Sequence, residues 1–552
     1  MRKGEPLQRR WRLEPPPDEA VAGELARGLG VPLAFARLLV QRGCTGVEAA
    51  RRFLRPSRDD FHDPFLLPDM ERAVERLVRA VRLGEPVLVH GDYDADGQCS
   101  TAIMTRTLAL AGGRPVPFLP HRLRDGYDLS QAGVRSAIAA GAKVILALDC
   151  GTTAVEAVAE ARAAGIEVLI VDHHLPGPTR PDAQAMVNPR RPESSYPFPD
   201  LCGAGLAWKL AIALGRTLGL SEAAPWHLID LAALATVADL VPLTGENRAL
   251  VRLGLRVLPT TRWPGLAALV AEAGLAGKPI RAGHVAFLLG PRLNAAGRVG
   301  DAGDALRLLL TDDRGEAVTL AKQLERQNAE RQALDQRTLD EALEELDACF
   351  DPARDFGVVL AREGWHPGVI GIVASRVVER IARPTFLVAL DGEVGKGSGR
   401  SVPRCNLHEA LVRCAGHLDK WGGHRMAAGL TVRRERLEPF REAFNAACAA
   451  QLEAADLVPT QRIDALFTLA DFSYEFERLL RALEPTGMGN PGPVFGVENL
   501  AVTGAMRPIG GRHVRFTLSD GSGELRTVAW GVREEVEEVV RAARGPLRAA
   551  LK

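Results

Sequence analysis

Residues 90–97 read His90-Gly91-Asp92-Tyr93-Asp94-Ala95-Asp96-Gly97, which puts one imidazole and three carboxylates within seven positions. Carboxylates this close repel one another unless a cation neutralises them. Oxygen ligands with one or two imidazoles suit Mn²⁺ or Mg²⁺ better than a soft metal. Gly91 and Gly97 allow the backbone to turn tightly around an ion. A solvated acidic turn or an Asp-rich calcium loop would also place acids together. The apolar run before the motif and the missing Glu at the loop end speak against a calcium loop.

Two more polar clusters follow apolar runs. Asp149 ends Val144–Leu148, ahead of Gly151-Thr152-Thr153, and Asp172-His173-His174 ends Val168–Val171. A lone Asp at such a place is commonly a helix cap, and adjacent histidines alone are commonly structural. Asp239 closes the apolar stretch Ala235–Ala238. An acid there opposes the helix dipole and favours a positive partner nearby.

The elements that must position these residues are legible as pattern. Val87–Val89, Val144–Leu148 and Val168–Val171 are continuous apolar runs, as expected of strands buried on both faces of a parallel sheet. Ala-rich helical segments at about 100–112, 130–142 and 152–165 lie between or after them. This alternation implies βαβ crossovers and a doubly wound sheet, with the ligand site at the carboxyl ends of the strands. His90, Asp149 and Asp172 stand at those ends.

Composition bounds the rest. The 552 residues are 46% hydrophobic and 25% charged, the balance of an ordinary globular protein of several domains. Sixty-nine basic and sixty-nine acidic residues exclude a general basic coat for nucleic acid, though not a local groove. Eight scattered cysteines without a C-x-x-C pair exclude a disulfide framework and a thiolate zinc site, and fit a reducing cytoplasm. The N-terminal stretch is polar where a signal peptide is apolar, and no run is long enough to span a membrane.

Residues 1–85 read as a cap of short helices and Pro-rich turns, and 200–310 as mostly helical. Residues 314–350 form one charged helix joining two lobes. A second α/β unit follows, with FGVVLA and PTFLVAL as strands and VIGIVASRVVERI as the helix between them. Leu500–Met506, His513–Leu518 and Leu525–Trp530 read as short strands of a small barrel, with turns at Gly510-Gly511 and Asp520-Gly521. The fold class is therefore a multidomain α/β protein with a C-terminal β-barrel resembling the oligonucleotide-binding (OB) kind.

Three Gly-flanked basic segments are candidates for phosphate contact. They are Pro291–Arg298, Gly397-Ser398-Gly399-Arg400-Ser401, and Gly422-Gly423-His424 with Ala427-Ala428-Gly429. The second reads as a phosphate nest of amides, hydroxyls and a guanidinium, or else as a flexible surface loop. Aromatic residues are only 5% of the chain, so phosphate contacts, rather than base stacking, are expected to dominate.

HGDYDADG, LDCG, VDHH and ATVADLVPLTGENR, in that order, resemble the DHH phosphoesterase superfamily, and within it the bacterial RecJ exonucleases. GWHPGVIGIVASR, GSGRS and GGHRMAAG resemble the DHH-associated domain, and GMGNPGPVF resembles the start of the RecJ OB barrel. The resemblance implies a cap at 1–85, a DHH domain at 86–313, a connecting helix at 314–350, a DHH-associated domain at 351–454 and an OB-like domain at 455–552. It implies two divalent cations, Mn²⁺ or Mg²⁺. His90, Asp94 and Asp149 would hold one, and Asp96, Asp149, His173 and Asp239 the other.

By the same resemblance His174 faces the scissile phosphate and Asp172 orients a histidine. Asn294 and Arg298 contact DNA near that phosphate. Arg122, Ser398 and Arg400 hold a 5′ phosphate, and His424 lines a cleft. The activity implied is 5′-to-3′ hydrolysis of single-stranded DNA in repair and recombination, by a cytoplasmic monomer. A single-strand-binding protein and a RecQ-type helicase are the implied partners. Two rivals remain: a DHH phosphodiesterase on short RNA or cyclic dinucleotides, and a non-catalytic DHH replication scaffold. The barrel and cap argue against the first, and the complete ligand set against the second.

Overall fold

The computed structural model describes residues 9–122, 124–126 and 128–552. Contacts divide the chain into two units. The first is Pro17–Ala329 with Arg478–Gly492. The second is Glu330–Glu477 with Pro493–Lys552 and the segment through Pro16.

The first unit is built on five parallel strands in the order Arg114–Phe118, Pro86–His90, Val144–Leu148, Glu167–Val171, Ala185–Val187. Three of them are the continuous apolar runs of the sequence. Arg114–Phe118 shows no such run because Pro115 and Pro117 interrupt it. Prolines are tolerated there because the strand is an edge. Ala185–Val187, the other edge, is too short to register as a pattern. From Pro86–His90 the chain winds to Arg114–Phe118 on one side, then crosses to Val144–Leu148 on the other. Strand order thus reverses between His90 and Leu148, the place where such sheets bind ligands.

Helices Ala95–Leu110, Gln131–Ala139 and Val155–Ala163 follow the first, second and third strands in chain order. Ala95–Leu110 packs with Gly203–Leu218 and Ile229–Ala238, which are apolar nearly all round and buried from Gly203 to Gly215 and from Ile229 to Val237. One core joins the sheet to these helices, from Val87 and Leu146 to Trp208 and Leu234.

In the second unit, strands Lys420–Gly423, Ala427–Arg433, Val394–Arg400, Thr385–Asp391 and Val358–Glu363 form a mixed sheet. Only the last two pair in parallel, joined through helix Ile370–Ile381. This corrects the reading of Gly397–Arg400 as a nest or loop. These residues lie in a central strand, paired with Thr385–Phe386–Leu387–Val388 on one side and Ala427–Leu430 on the other. Backbone amides committed to a ladder cannot cradle an anion.

The C-terminal strands Phe495–Ile509, His513–Ser519 and Glu524–Ala529 form a meander, with Leu547–Leu551 and Ala465–Phe467 pairing on Phe495–Ile509. Gly510 and Gly511, at φ 43° and 45°, open the three-residue loop Gly510–Arg512 of the first hairpin, where glycine meets no steric cost at positive φ. Arg10–Leu13 pairs in parallel with Thr460–Ile463, so the earliest described strand packs in this unit. The helices from Glu19 onward belong to the other. Helix Arg314–Cys349 runs unbroken through the boundary between the two.

Candidate metal centre

Each acidic or imidazole group of the first unit's site is placed by a strand end or a helix end. His90 is the last residue of its strand. Asp94 is the N-cap of helix Ala95–Leu110, its Oδ1 accepting from the amides of Asp96 at 2.9 Å and Gly97 at 3.2 Å. Asp96 lies in the first turn, and its two oxygens accept from Gly203 and Ala204 N–H, both at 2.7 Å. Those amides open helix Gly203–Leu218, whose positive end favours a carboxylate. Asp239 caps the C-terminus of Ile229–Ala238.

Asp149 follows its strand at φ 60°, a left-handed conformation that few non-glycine residues adopt. Close approach is enforced around it. A Cβ on Gly203 would lie 2.5 Å from Asp149 Cβ, and one on Gly133 would lie 2.5 Å from His90 Cδ2. Both positions need glycine for space.

The side chains converge. His173 Nε2 lies 3.1 Å from Asp149 Oδ1, 3.7 Å from Asp239 Oδ2 and 3.9 Å from Asp96 Oδ2. Asp96, His173 and Asp239 therefore form one set of donors close enough to share an ion. Asp92, Asp94 and Asp149 form a second such set, and Asp149, Asp172, His173 and His174 a third. His90 is in none of these sets: its Nδ1 is 3.6 Å from Cys150 Sγ. Asp92, which the resemblance leaves outside both ligand sets, is the residue that joins Asp94 and Asp149.

The donors fit a divalent cation on an independent observation. His90 Nε2, Asp92 Oδ1, both ring nitrogens of His173 and Asp239 Oδ2 are buried without a hydrogen-bond partner. Buried polar atoms are otherwise almost always paired. Burial first, then repulsion from Asp96, drives the Asp149 carboxyl well above the usual range. Asp96 is pushed up to about 6 by burial and then by Asp94. Asp239 rises for the same reasons. Burial lowers His173 to about 4, helped by the neighbouring His174, so its ring is neutral and able to ligate.

His174 behaves oppositely. Burial favours its neutral ring, but a 2.7 Å bond between its Nδ1 and Asp172 Oδ1 outweighs that and lifts it to about 9. Burial works against the Asp172 carboxylate, yet the hydrogen bond and charge of His174, helped by Thr152, hold it below its ordinary value. Asp172 also accepts from the amides of Thr152, His173 and His174, which fixes the whole loop.

Two residues that sequence reasoning missed complete that scaffold. Asn188 Nδ2 donates to Thr152 Oγ1 at 3.0 Å and to the His174 carbonyl at 2.9 Å. Asp128 accepts from Gly151 N–H at 2.6 Å and Thr153 Oγ1 at 2.9 Å, just after Asp149. The only signal for Asn188 is an Asn-Pro pair closing a short apolar run.

A cavity of about 300 Å³ opens on the cluster, walled by Asp92, Asp94, Asp96 and Asp239 on one hand and Arg122, Asn294 and Arg298 on the other. Arg122 stacks over the Tyr93 ring at 5.0 Å. Asn294 and Arg298 project from helix Gly290–Val299, and Asn294 Oδ1 accepts from Ala95 N–H at 2.7 Å. In the second unit, Arg400 Nη1 lies 3.3 Å from Ser398 Oγ and donates to the Gly399 carbonyl at 2.8 Å. His424 is exposed in the hairpin turn before Ala427, its amide donating to the Ala427 carbonyl.

Residues 86–236 match the DHH family, N-terminal domain, 355–450 the DHHA1 domain and 463–550 the RecJ OB domain. Fold and site together define a DHH-type protein with an acidic metal cluster at its sheet's switch point. Over 539 residues the chain is 38% identical to the single-stranded-DNA-specific exonuclease RecJ of Bacillus subtilis, covering 97% of this chain and 67% of the relative. It is 37% identical over 482 residues to that of Escherichia coli, covering 83% and 82% of the two chains. The crystal structure of Thermus thermophilus RecJ in complex with Mn²⁺ superposes with a TM-score of 0.84 at 35% identity, covering 100% of this chain and 76% of that one. The Mg²⁺ complex gives 0.78 at 33% identity, covering 98% and 74%. The chain belongs to the RecJ exonuclease family.

Proposed function

We propose that this protein is a metal-dependent exonuclease that degrades single-stranded DNA from its 5′ end to mononucleotides. One observation carries the reading: orphaned buried carboxylate and imidazole atoms face guanidiniums across a small cavity. Membership of the RecJ family supplies the substrate. Asp96, Asp149, His173 and Asp239 would hold one Mn²⁺ or Mg²⁺, and Asp94, Asp149 and His90 or Asp92 the other. Such ions, when bound, supply a deprotonated water and offset charge on attacking and leaving oxygens.

The chain's own groups do the rest. Arg122 and Arg298 offer charge-assisted hydrogen bonds to a phosphodiester, and Asn294 ties its helix to the first turn after Asp94. His174, held by Asp172 through Nδ1, can present a proton on Nε2 to the scissile phosphate or the leaving oxygen. By family resemblance Ser398 and Arg400 would hold a 5′ phosphate, and His424 would be a further nucleic-acid contact. Work in DNA repair and recombination fits, in the cytoplasm, as a monomer, with a single-strand-binding protein and a RecQ-type helicase. No helix among the described residues is long and apolar enough to cross a membrane.

A 3′-labelled single strand with Mn²⁺ tests the reading. The label should persist in steadily shortening strands, while a 5′ label appears at once as mononucleotide. A 5′-labelled ladder would reverse the polarity, and equal loss of duplex would end the single-strand assignment.

A further inference from the structure

The first unit holds a second cavity, of about 590 Å³, whose lining shares no residue with the metal site and which the nuclease reading does not use. It is lined by Arg252 and Arg256 of helix Gly245–Val257, by Arg281 and His284, and by the segment Glu484–Thr486. Three guanidiniums and an imidazole meet a single carboxylate there.

That carboxylate does not balance them. Glu484 Oε1 approaches Arg281 Nη1 at 3.5 Å. Arg252 Nη1 donates only to the Glu484 backbone carbonyl, at 3.0 Å, and its Nε is buried with no partner. Arg256 is exposed, and no carboxylate pairs with it among the described residues. Arg252 and Arg256 are four residues apart on one helix, and like charges at that spacing destabilise it. Burial, and then the charge of Arg256, lowers the basicity of Arg252, so the two guanidiniums feel each other. One turn earlier Arg248 shows how the same stripe looks when satisfied: it donates to the carbonyls of Phe53, Ala482, Leu483, Glu484 and Pro485. The stripe thus runs from a structural arginine to one with a spare donor to one with none of its charge answered.

We propose that this cavity is a phosphate-binding site, accepting the phosphate of a nucleotide on Arg252, Arg256 and Arg281. Its geometry fits the ligand class: guanidinium forks match phosphate oxygens bidentately, and the volume lies within the range of small-ligand sites. The phosphate can come from a free mononucleotide or from the backbone of a strand. The inference does not depend on the nuclease reading, because its readout is binding.

Calorimetry on the full chain decides it, with inorganic phosphate, 5′-dAMP and an unhydrolysable phosphorothioate dT oligonucleotide as separate probes in EDTA. Arg256→Ala, at an exposed position, should weaken at least one probe about tenfold, the equivalent of one charge-assisted contact. Arg256→Lys should recover part of that, since charge returns without the fork. Loss confined to dAMP and inorganic phosphate identifies the free phosphomonoester, and loss confined to the oligonucleotide identifies the strand. Identical affinities of wild type and Arg256→Ala for all three probes would overturn the site.

Discussion

The first unit buries charge in two ways. Around His173 gather the three carboxylates of Asp96, Asp149 and Asp239, all within 3.9 Å of its Nε2. Some distance along the chain, Lys209 and Glu246 are buried as a pair, and Glu246 also accepts from Tyr196 Oη at 2.6 Å and His62 N–H at 2.8 Å. Lys209 in turn donates to the His62 carbonyl at 2.7 Å. Every hydrogen-bonding group of the second arrangement has a partner within the protein. In the first, the buried atoms left over are nitrogen lone pairs and carboxylate oxygens. Balanced burial stabilises a fold, whereas unbalanced burial of one sign marks a ligand of the other.

The largest expected effect breaks the unbalanced side. Asp149 is common to two of the donor sets, so Asp149→Ala should lower cleavage roughly ten-thousandfold or more while the fold persists. Circular dichroism and a nuclease assay on one sample test this, and a folded variant with near-normal activity would refute a shared ligand. The balanced side responds in stability instead. Lys209→Met leaves Glu246 charged and unpaired, and should remove about 3–5 kcal/mol in denaturant unfolding. Adding Glu246→Leu should restore only part, because Tyr196 and His62 then lose their acceptor.

Much of the unbalanced site was readable in the chain. Asp96, Asp149, His173 and Asp239 follow apolar runs or end apolar helices, and the fold brings them together at one sheet edge. Hydrophobic pattern is visible because it repeats. What the chain hides are single-residue roles without a pattern. Asp92 falls outside both ligand sets that the resemblance implies, yet its carboxylate lies with those of Asp94 and Asp149. Asn188 and Asp128 work through one or two hydrogen bonds to residues far off in sequence. Gly397–Arg400 misled for a physical reason: small residues suit a nest, but they equally suit a strand packed closely on its neighbours. A Cβ on Gly399 would strike the Phe386 ring at 2.5 Å.

His174 sharpens the comparison from inside the site. It shares a wall with His173, but its Nδ1 is committed to Asp172, as a balanced group's would be. His174→Ala should therefore retain Mn²⁺ affinity yet cleave about a hundredfold more slowly. His173→Ala should lose the ion. Calorimetric Mn²⁺ titration beside initial rates tests the pair, and equal loss of metal affinity would show that both rings ligate.

The smallest effect tests whether burial alone identifies a site. Asp230 is pushed up to about 6 by burial, the same value as Asp96. Yet it stands alone, accepting from Thr261 Oγ1 at 2.6 Å and from the Leu231 amide at 2.9 Å, and belongs to no donor set. A carboxyl with a raised folded value binds its proton more tightly in the native state, so its contribution to stability falls as pH rises from about 3.8 to about 6. Asp230→Asn removes that loss while keeping an acceptor for Thr261. The variant should match wild type near pH 4 and exceed it by about 2 kcal/mol above pH 7, an order-of-magnitude figure from the size of the shift. The metal ligands titrate in both proteins and drop out of the difference. Cleavage should be unaffected, because nothing at Asp230 converges on the cavity. Urea unfolding of both proteins at several pH values measures the gap, with rates taken alongside. If the gap is absent at pH 8, burial is not what raises Asp230. If activity falls with it, a single unbalanced carboxylate is enough to mark chemistry, and the contrast drawn from Lys209 and Glu246 fails.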